Sequence, residues 1–260
     1  MTLLLRAATA TDLGLHRDNN EDSLYAGRQL LVVADGVGGQ PAGEVASELV
    51  IRTLEPLDAE PDGDPLPVLR AAVEAANRAI REAAAADPEH GGMATTVTAL
   101  LLCGDQAALV HVGDSRAYRL RDGELTQLTT DHTYVQWLVQ RGMLKPEEAR
   151  HHPKRSVVTQ VAQGEEIEPQ TELLSVRPGD RFLVCSDGLS DVVVDADIRD
   201  VLVGKVAATE AVADLVTLAL RGGGPDNISV VIADAVATGT DPRPESGAVG
   251  DDDPEPAQKV

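Results

Sequence analysis

The sequence predicts an α+β fold built on largely antiparallel sheets. Three observations carry this reading. Short β-type runs dominate, near 3–9, 23–34, 94–103, 106–113, 116–121, 125–129, 171–176, 181–186 and 228–234. The stretch YRLRDGELTQL alternates on both sides of Asp122-Gly123, the pattern of a tight hairpin. Hairpins and meanders of this kind outnumber βαβ units, so parallel sheets are disfavoured.

Along the chain, strands come first, then two helices, many strands, a helical insertion, strands, a helix and a last strand. AGEVASELVIRTL (42–54) places Val45, Leu49 and Ile51 on an apolar stripe. VLRAAVEAANRAIREAAAA (68–86) is rich in strong helix formers, with Val68, Leu69, Ala72, Val73, Ala76 and Ile80 as its apolar positions. A Pro/Asp loop, EPLDAEPDGDPLP, separates the two. HTYVQWLVQRG (132–142) and EAVADLVTLALRGGG (210–224) both close on glycine, a common helix stop.

The chain of 260 residues can bury a large core, and its 43% hydrophobic and 25% charged content is that of a globular protein. Aromatics make up only 2%, so Val, Leu, Ile and Ala must build that core. A net charge of −21 disfavours nucleic acid and anionic membrane as partners. Cys103 and Cys185 lie inside apolar runs and form no CxxC, as expected of small buried residues in a reducing compartment. No stretch reaches the roughly 20 apolar residues of a membrane span. The apolar part of MTLLLRAATATD is too short for a signal peptide. A cytoplasmic location is expected. From Ala237 the chain reads as a disordered acidic tail, leaving residues 1–236 as the domain.

Three apolar strands end on carboxylates: LLVVADGVGG at Asp35, LVHVGDS at Asp114 and FLVCSDG at Asp187. Asp226, in GGGPDNISVVIAD, precedes a strand. In an antiparallel sheet the end of one strand lies beside the start of its neighbour, so all four can meet at one edge. Carboxylates packed that closely repel, and hard divalent cations with oxygen ligands resolve the conflict. RDNNEDS (17–23) adds Glu21, Asp22 and the planar fork of Arg17, suited to phosphate oxygens. The adjoining glycines allow a carbonyl or a phosphate to approach closely.

RDNNEDS, VADGVGGQPAGEVAS, GMATTV, VHVGDSRAY, CSDGLSD and GGPDNISVV occur in the order found in the metal-dependent protein phosphatases (PPM, type 2C). Over about residues 5–235 the chain resembles the bacterial Ser/Thr branch of that family. The resemblance implies an α-β-β-α sandwich of two largely antiparallel sheets flanked by helices. It also implies two core ions, Mn²⁺ or Mg²⁺, bridged by Asp35 and completed by the Gly36 carbonyl, Asp187 and Asp226. Glu21 and Asp22 match residues acting through metal-bound water, Arg17 matches the phosphate-binding arginine, and Asp114 with Asp191 matches a third-metal site. Asn227 takes a supporting role.

By the same resemblance, a metal-bridging hydroxide attacks phosphoserine or phosphothreonine directly, reversing bacterial Ser/Thr kinase signalling. The implied partners are phosphorylated proteins, including kinases and their substrates, with no nucleic acid, no membrane span and a monomeric state. Residues 131–164 include the flap beside the site. There Trp137 is expected to pack its helix and His151-His152 to be solvated, while His111 is expected to be structural. Many eukaryotic members carry a His directly after the bridging Asp-Gly; here that position is Val37, which cannot donate a proton.

Other readings fit less well. Gly36-Val37-Gly38 is followed by Pro41 where a dinucleotide fingerprint needs glycine, and Gly204-Lys205 is followed by Val206, so no P-loop forms. Cys185 and Ser186 have no His partner nearby in sequence for covalent catalysis. A silent binding module on the same fold is expected to lose metal ligands, yet Asp35, Asp187 and Asp226 are all present.

Overall fold

The structure, a computed structural model, describes residues 2–37, 42–59, 63–205 and 207–238. The Gly38-Gly39 pair and the acidic tail beyond Thr238 lie outside the described residues. The strands are β1 (Leu3–Asp12), β2 (Asp22–Ala26), β3 (Leu30–Val37), β4 (Ala94–Thr95), β5 (Val97–Cys103), β6 (Gln106–Val112), β7 (Arg116–Arg121), β8 (Glu124–Gln127), β9 (Gln170–Ser175), β10 (Arg181–Cys185) and β11 (Ile228–Ala237). The helices are α1 (Gly43–Leu54), α2 (Pro65–Ala86), α3 (Tyr134–Gln140), α4 (Pro146–Ala149), α5 (Asp187–Ser190), α6 (Asp195–Gly204) and α7 (Ala208–Arg221).

One sheet runs β1-β11-β10-β7-β8; the other runs β2-β3-β5-β6-β9, with β4 paired onto β3. Every strand pairing is antiparallel. Period-two alternation sorts the side chains into layers. In β3, Leu31 and Val33 enter the core between the sheets, where they join Phe182, Val184, Val231 and Ala233. Leu30, Val32 and Ala34 face the other way, under Ala46, Val50, Leu69 and Val73 of α1 and α2. The outer face of the first sheet buries Leu183, Val230 and Ile232 under α6 and α7. The result is the expected α-β-β-α sandwich.

Some local expectations are corrected. The run 23–34 divides into β2 and β3 because the Asp58 carboxylate accepts the N–H groups of Arg28, Gln29 and Leu30 at 3.2, 2.8 and 2.9 Å, pinning a turn. The buried stripe of α1 is Ala46, Val50 and Leu54, with Val45, Leu49 and Ile51 only partly covered. Helix α2 starts at Pro65, capped by Asp64, whose side chain accepts the Leu66 N–H at 3.0 Å, and Val68 is exposed. Helix α6 was not expected. It buries only Ile198 and Leu202, too few apolar positions to show a helical period.

Candidate active site

The antiparallel topology brings five strand ends to one edge of the sandwich. Asp22 and Asp35 are register partners across β2 and β3, so both side chains stand on the same face. Asp35 continues the series Leu31, Val33 and therefore emerges at the rim of the inter-sheet core. Asp187 is the first residue of α5, directly after β10 and Ser186. Asp114 follows β6, and Asp226 precedes β11.

Their mutual proximity appears in their acidities. Loss of water raises Asp35 well above the ordinary carboxylate range, and the charges of Asp22, Asp187, Asp114 and Asp226 raise it further. Asp187 is raised in the same way, by burial and then by Asp114, Asp191, Asp226 and Asp22. Burial pushes Asp22 up to about 6 and Asp114 up to about 7, the latter helped by Asp131 and Asp191. Glu21 is raised by burial and by Glu44. Asp191 is raised by burial, against the opposing charges of Arg116, Arg155 and Arg150.

Divalent cations fit this edge. Asp22 Oδ1 is buried with no hydrogen-bond partner, an acceptor left for something outside the protein. Asp35 and Asp187 are set among like charges, which a cation would relieve. Among the described residues no three His, Cys, Asp or Glu side chains converge into a one-ion cage.

The remaining expected residues surround this edge. Arg17 places its guanidinium Nη2 2.6 Å from Asp226 Oδ2 and stays half exposed. Gly36 is needed for backbone packing: a Cβ there would lie 2.6 Å from the Gly43 carbonyl carbon and 2.8 Å from the Glu21 carbonyl oxygen. Of the two uses expected of this glycine, close approach of a carbonyl or of a phosphate, the structure shows the first. Asn227 is buried, and its side chain closes the 13–21 loop onto β11. It accepts the Glu21 N–H at 2.9 Å and donates to the carbonyls of Leu13 and Asn19 at 2.9 and 3.0 Å.

Several supporting residues escaped sequence reasoning. The Ser186 hydroxyl donates to Asp22 Oδ2 at 2.8 Å and accepts the Ser229 N–H at 2.9 Å. Thr96 Oγ1 accepts the Asp35 N–H at 3.0 Å and is 2.6 Å from Ser115 Oγ, while the Thr95 hydroxyl donates to the Asp35 carbonyl at 2.9 Å. The motif GMATTV contains both threonines, so the signal was present without a role attached.

The candidate covalent groups are disposed against that chemistry. Burial pushes the Cys185 thiol up to about 12. Cys103, expected to be buried, is half-buried, and its Sγ lies 3.3 Å from the Gly63 carbonyl oxygen. His111 is buried, lies 2.9 Å from the Thr98 hydroxyl, and is driven down to about 3 by burial and by His132. Its structural role is as expected.

The flap packs on the site through Arg150, which donates to the carbonyls of Ser190 and Val193 at 2.5 and 2.9 Å. Arg155 adds a contact of 3.8 Å to Asp191. Between flap and edge lies a cavity of about 170 Å³, lined by Asp114 and Asp191 on one side and Gln136, Val139 and Arg150 on the other. Trp137 departs from its expected packing role. It is 40% exposed on the outer flap surface, stacked on Tyr134 and covered by Arg141. His151 is exposed, and His152 is half-buried with its ring 6.3 Å from that of Tyr134.

A carboxylate-lined edge between two antiparallel sheets, with an arginine beside it, defines the class of protein. The profile of the protein phosphatase 2C family matches residues 16–219, and the chain belongs to that family. It is 52% identical over 258 residues to the serine/threonine protein phosphatase PstP of Mycobacterium tuberculosis, covering 97% of this chain and 50% of that protein. The chain thus spans about half the length of that relative. The protein phosphatase PhpP of Streptococcus pneumoniae is 35% identical over 232 residues, covering 85% of this chain and 94% of that protein. Among solved structures, the M. tuberculosis phosphatase PstP/Ppp superposes with a TM-score of 0.88 at 53% identity, covering 90% of this chain and 100% of that one. The PstP catalytic domain in complex with two manganese ions gives a TM-score of 0.85 at 52% identity, covering 91% and 100%.

Proposed function

We propose that the chain is a metal-dependent protein serine/threonine phosphatase, hydrolysing phosphoserine and phosphothreonine in proteins by direct attack of water on phosphorus. The observation that carries this reading is the edge itself: Asp22, Asp35, Asp187 and Asp226 charged against one another with Arg17 alongside. Residues 1–236 form the phosphatase domain. Asp35, the Gly36 carbonyl, Asp187 and Asp226 would hold two ions, Mn²⁺ or Mg²⁺, with Glu21 and Asp22 acting through water; Asp114 and Asp191 would hold a third. Bound there, such ions would lower the pKa of a water near them and offset charge on the phosphoryl oxygens.

The chain's own residues do the rest. Arg17, half exposed at the rim, can exchange its contact with Asp226 for phosphoryl oxygens, fixing the substrate and balancing charge as it redistributes. Asn227 fixes the loop that carries Arg17 and Glu21. Ser186 orients Asp22, which excludes it as a free nucleophile, and the Cys185 thiol is buried and uncharged. A covalent phosphoenzyme is therefore not part of the reaction. Val37 offers no proton, so water protonates the leaving alkoxide.

In the cell this activity would reverse Ser/Thr kinase signalling, acting as a cytoplasmic monomer on phosphorylated proteins that include kinases and their substrates. Among the described residues no helix is long and apolar enough to cross a membrane. The reading is tested by phosphate release from phosphoserine, phosphothreonine and phosphotyrosine peptides with and without Mn²⁺. Metal-dependent release from the first two is expected, with kcat/KM reduced about 100-fold or more in Arg17→Ala. Metal-independent release, or indifference to Arg17→Ala, contradicts it.

A further inference from the structure

The flap differs in charge from the rest of the molecule. Within residues 131–164, five cations (Arg141, Lys145, Arg150, Lys154 and Arg155) face three carboxylates, a net +2 in a chain of net −21. Arg150 donates to the carbonyls of Ser190 and Val193, and Arg155 faces Asp191 at 3.8 Å. Arg141, Lys145 and Lys154 are exposed and pair with no carboxylate among the described residues.

Two of these cations are mounted on aromatic rings. Lys154 Nζ lies 5.2 Å from the Tyr134 ring centroid, the Tyr134 and Trp137 rings stack at 6.0 Å, and Arg141 Cζ lies 4.2 Å above Trp137. The ladder Lys154–Tyr134–Trp137–Arg141 holds two cationic groups over a flat apolar floor, leaving the guanidinium edge free for carboxylates. Trp137 also lines an open groove of about 350 Å³ with His132, Gln140 and Thr159. Of the five aromatic residues in the chain, Tyr118 and Phe182 are buried in the cores.

We propose that this outer flap face docks acidic segments of phosphoprotein substrates, and so selects phosphorylated residues with carboxylates nearby. The proposal rests on the phosphatase reading above and names the substrate class of that same site. Charge complementarity argues for the occupant: a chain of net −21 repels acidic segments, and among the described residues this face alone offers cations stacked on aromatic rings. Helix α3 sets the spacing. Gln136 and Val139 line the cavity against Asp114 and Asp191, while Trp137 and Gln140 line the outer groove. The two faces are separated by the thickness of one helix, about 10 Å. An extended peptide crosses that distance in about three residues, placing the docked carboxylates roughly three to five residues from the phosphorylated one.

The test uses two phosphothreonine peptides carrying Glu or Lys at those positions. Turnover is read with Mn²⁺, and binding is read from the fluorescence of Trp137, the single tryptophan of the chain. The Glu peptide is expected to perturb the fluorescence and to have kcat/KM about tenfold above the Lys peptide, carried by KM. Arg141→Glu combined with Lys154→Glu should invert that preference while leaving p-nitrophenyl phosphate turnover unchanged. Equal kcat/KM for the two peptides, or a variant that slows all three substrates alike, overturns the proposal. A fluorescence response to an RNA homopolymer and none to the Glu peptide also overturns it. Absence of turnover on every phosphoester refutes the phosphatase reading instead, and the docking face then stands or falls on the peptide titration of Trp137 alone.

Discussion

Asp22 and Asp35 stand directly opposite each other in the register of β2 and β3, two carboxylates on one face of an antiparallel pair. Like charges so placed destabilise a sheet, and here both groups are held above the ordinary carboxylate pKa, as weaker acids. An acid raised in the folded state binds more protons folded than unfolded between its two pKa values. Its contribution to stability is therefore present below about pH 4 and lost as pH rises through the folded value, which for Asp22 is about 6.

Without metal, Asp35→Asn should be more stable than the parent protein at pH 7.5. The gap should close as pH falls toward 4. His111, held down at about 3, works in the opposite sense, losing stability as pH falls below its unfolded value. Comparing the two proteins cancels that contribution. Urea unfolding across this pH range reads the difference; a gap independent of pH contradicts it.

Asn227 ties three backbone groups of the 13–21 loop while itself buried. Asn227→Ala leaves the Glu21 N–H and two carbonyls without partners, at a cost of about 3 kcal/mol. Because the loop carries Arg17, KM for a phosphoester should rise as well. Unfolding curves paired with steady-state kinetics test both halves, and a stable variant with unchanged KM refutes the clamp.

Gly188 separates α5 from β11 at van der Waals limits. A Cβ on it would lie 2.0 Å from the Asn227 carbonyl oxygen, a backbone atom unable to swing aside. Gly188→Ala is expected to cost about 3 kcal/mol and to weaken Mn²⁺ binding by displacing Asp187 or Asp226. Calorimetric titration with Mn²⁺ measures the second effect; unaltered affinity would count against it.

On the proposed mechanism, Val37 stands where a proton donor would help an alkoxide leave. Val37→His should raise turnover of alkyl phosphates relative to p-nitrophenyl phosphate, whose leaving group needs no proton. An unchanged ratio of the two rates would show that water does not limit leaving-group protonation.

Legibility in the sequence followed the range of the interaction. Asp35, Asp114 and Asp187 could be found because an apolar strand ending on a carboxylate is a local pattern. Their meeting followed from antiparallel topology, which the hairpins announced. The second contacts were hidden. Ser186 reaches Asp22 across 164 residues, and Asn227 reaches Leu13 across 214. Close approach of a carbonyl to Gly36 was legible, but which carbonyls come near was not, since only the fold places Gly43 and Glu21 against it. Helix α6 and the exposure of Trp137 were missed because both depend on what neighbouring elements leave uncovered.

The central claim is that the carboxylate edge is a divalent-metal site that hydrolyses phosphoesters. It is tested most directly by p-nitrophenyl phosphate turnover during Mn²⁺ titration of the parent protein and of Asp35→Asn. Turnover that rises with Mn²⁺ to saturation in the parent, and falls by a factor of about 1,000 or more in the variant, is expected. Parent turnover without metal, or a variant that keeps it, would contradict the claim.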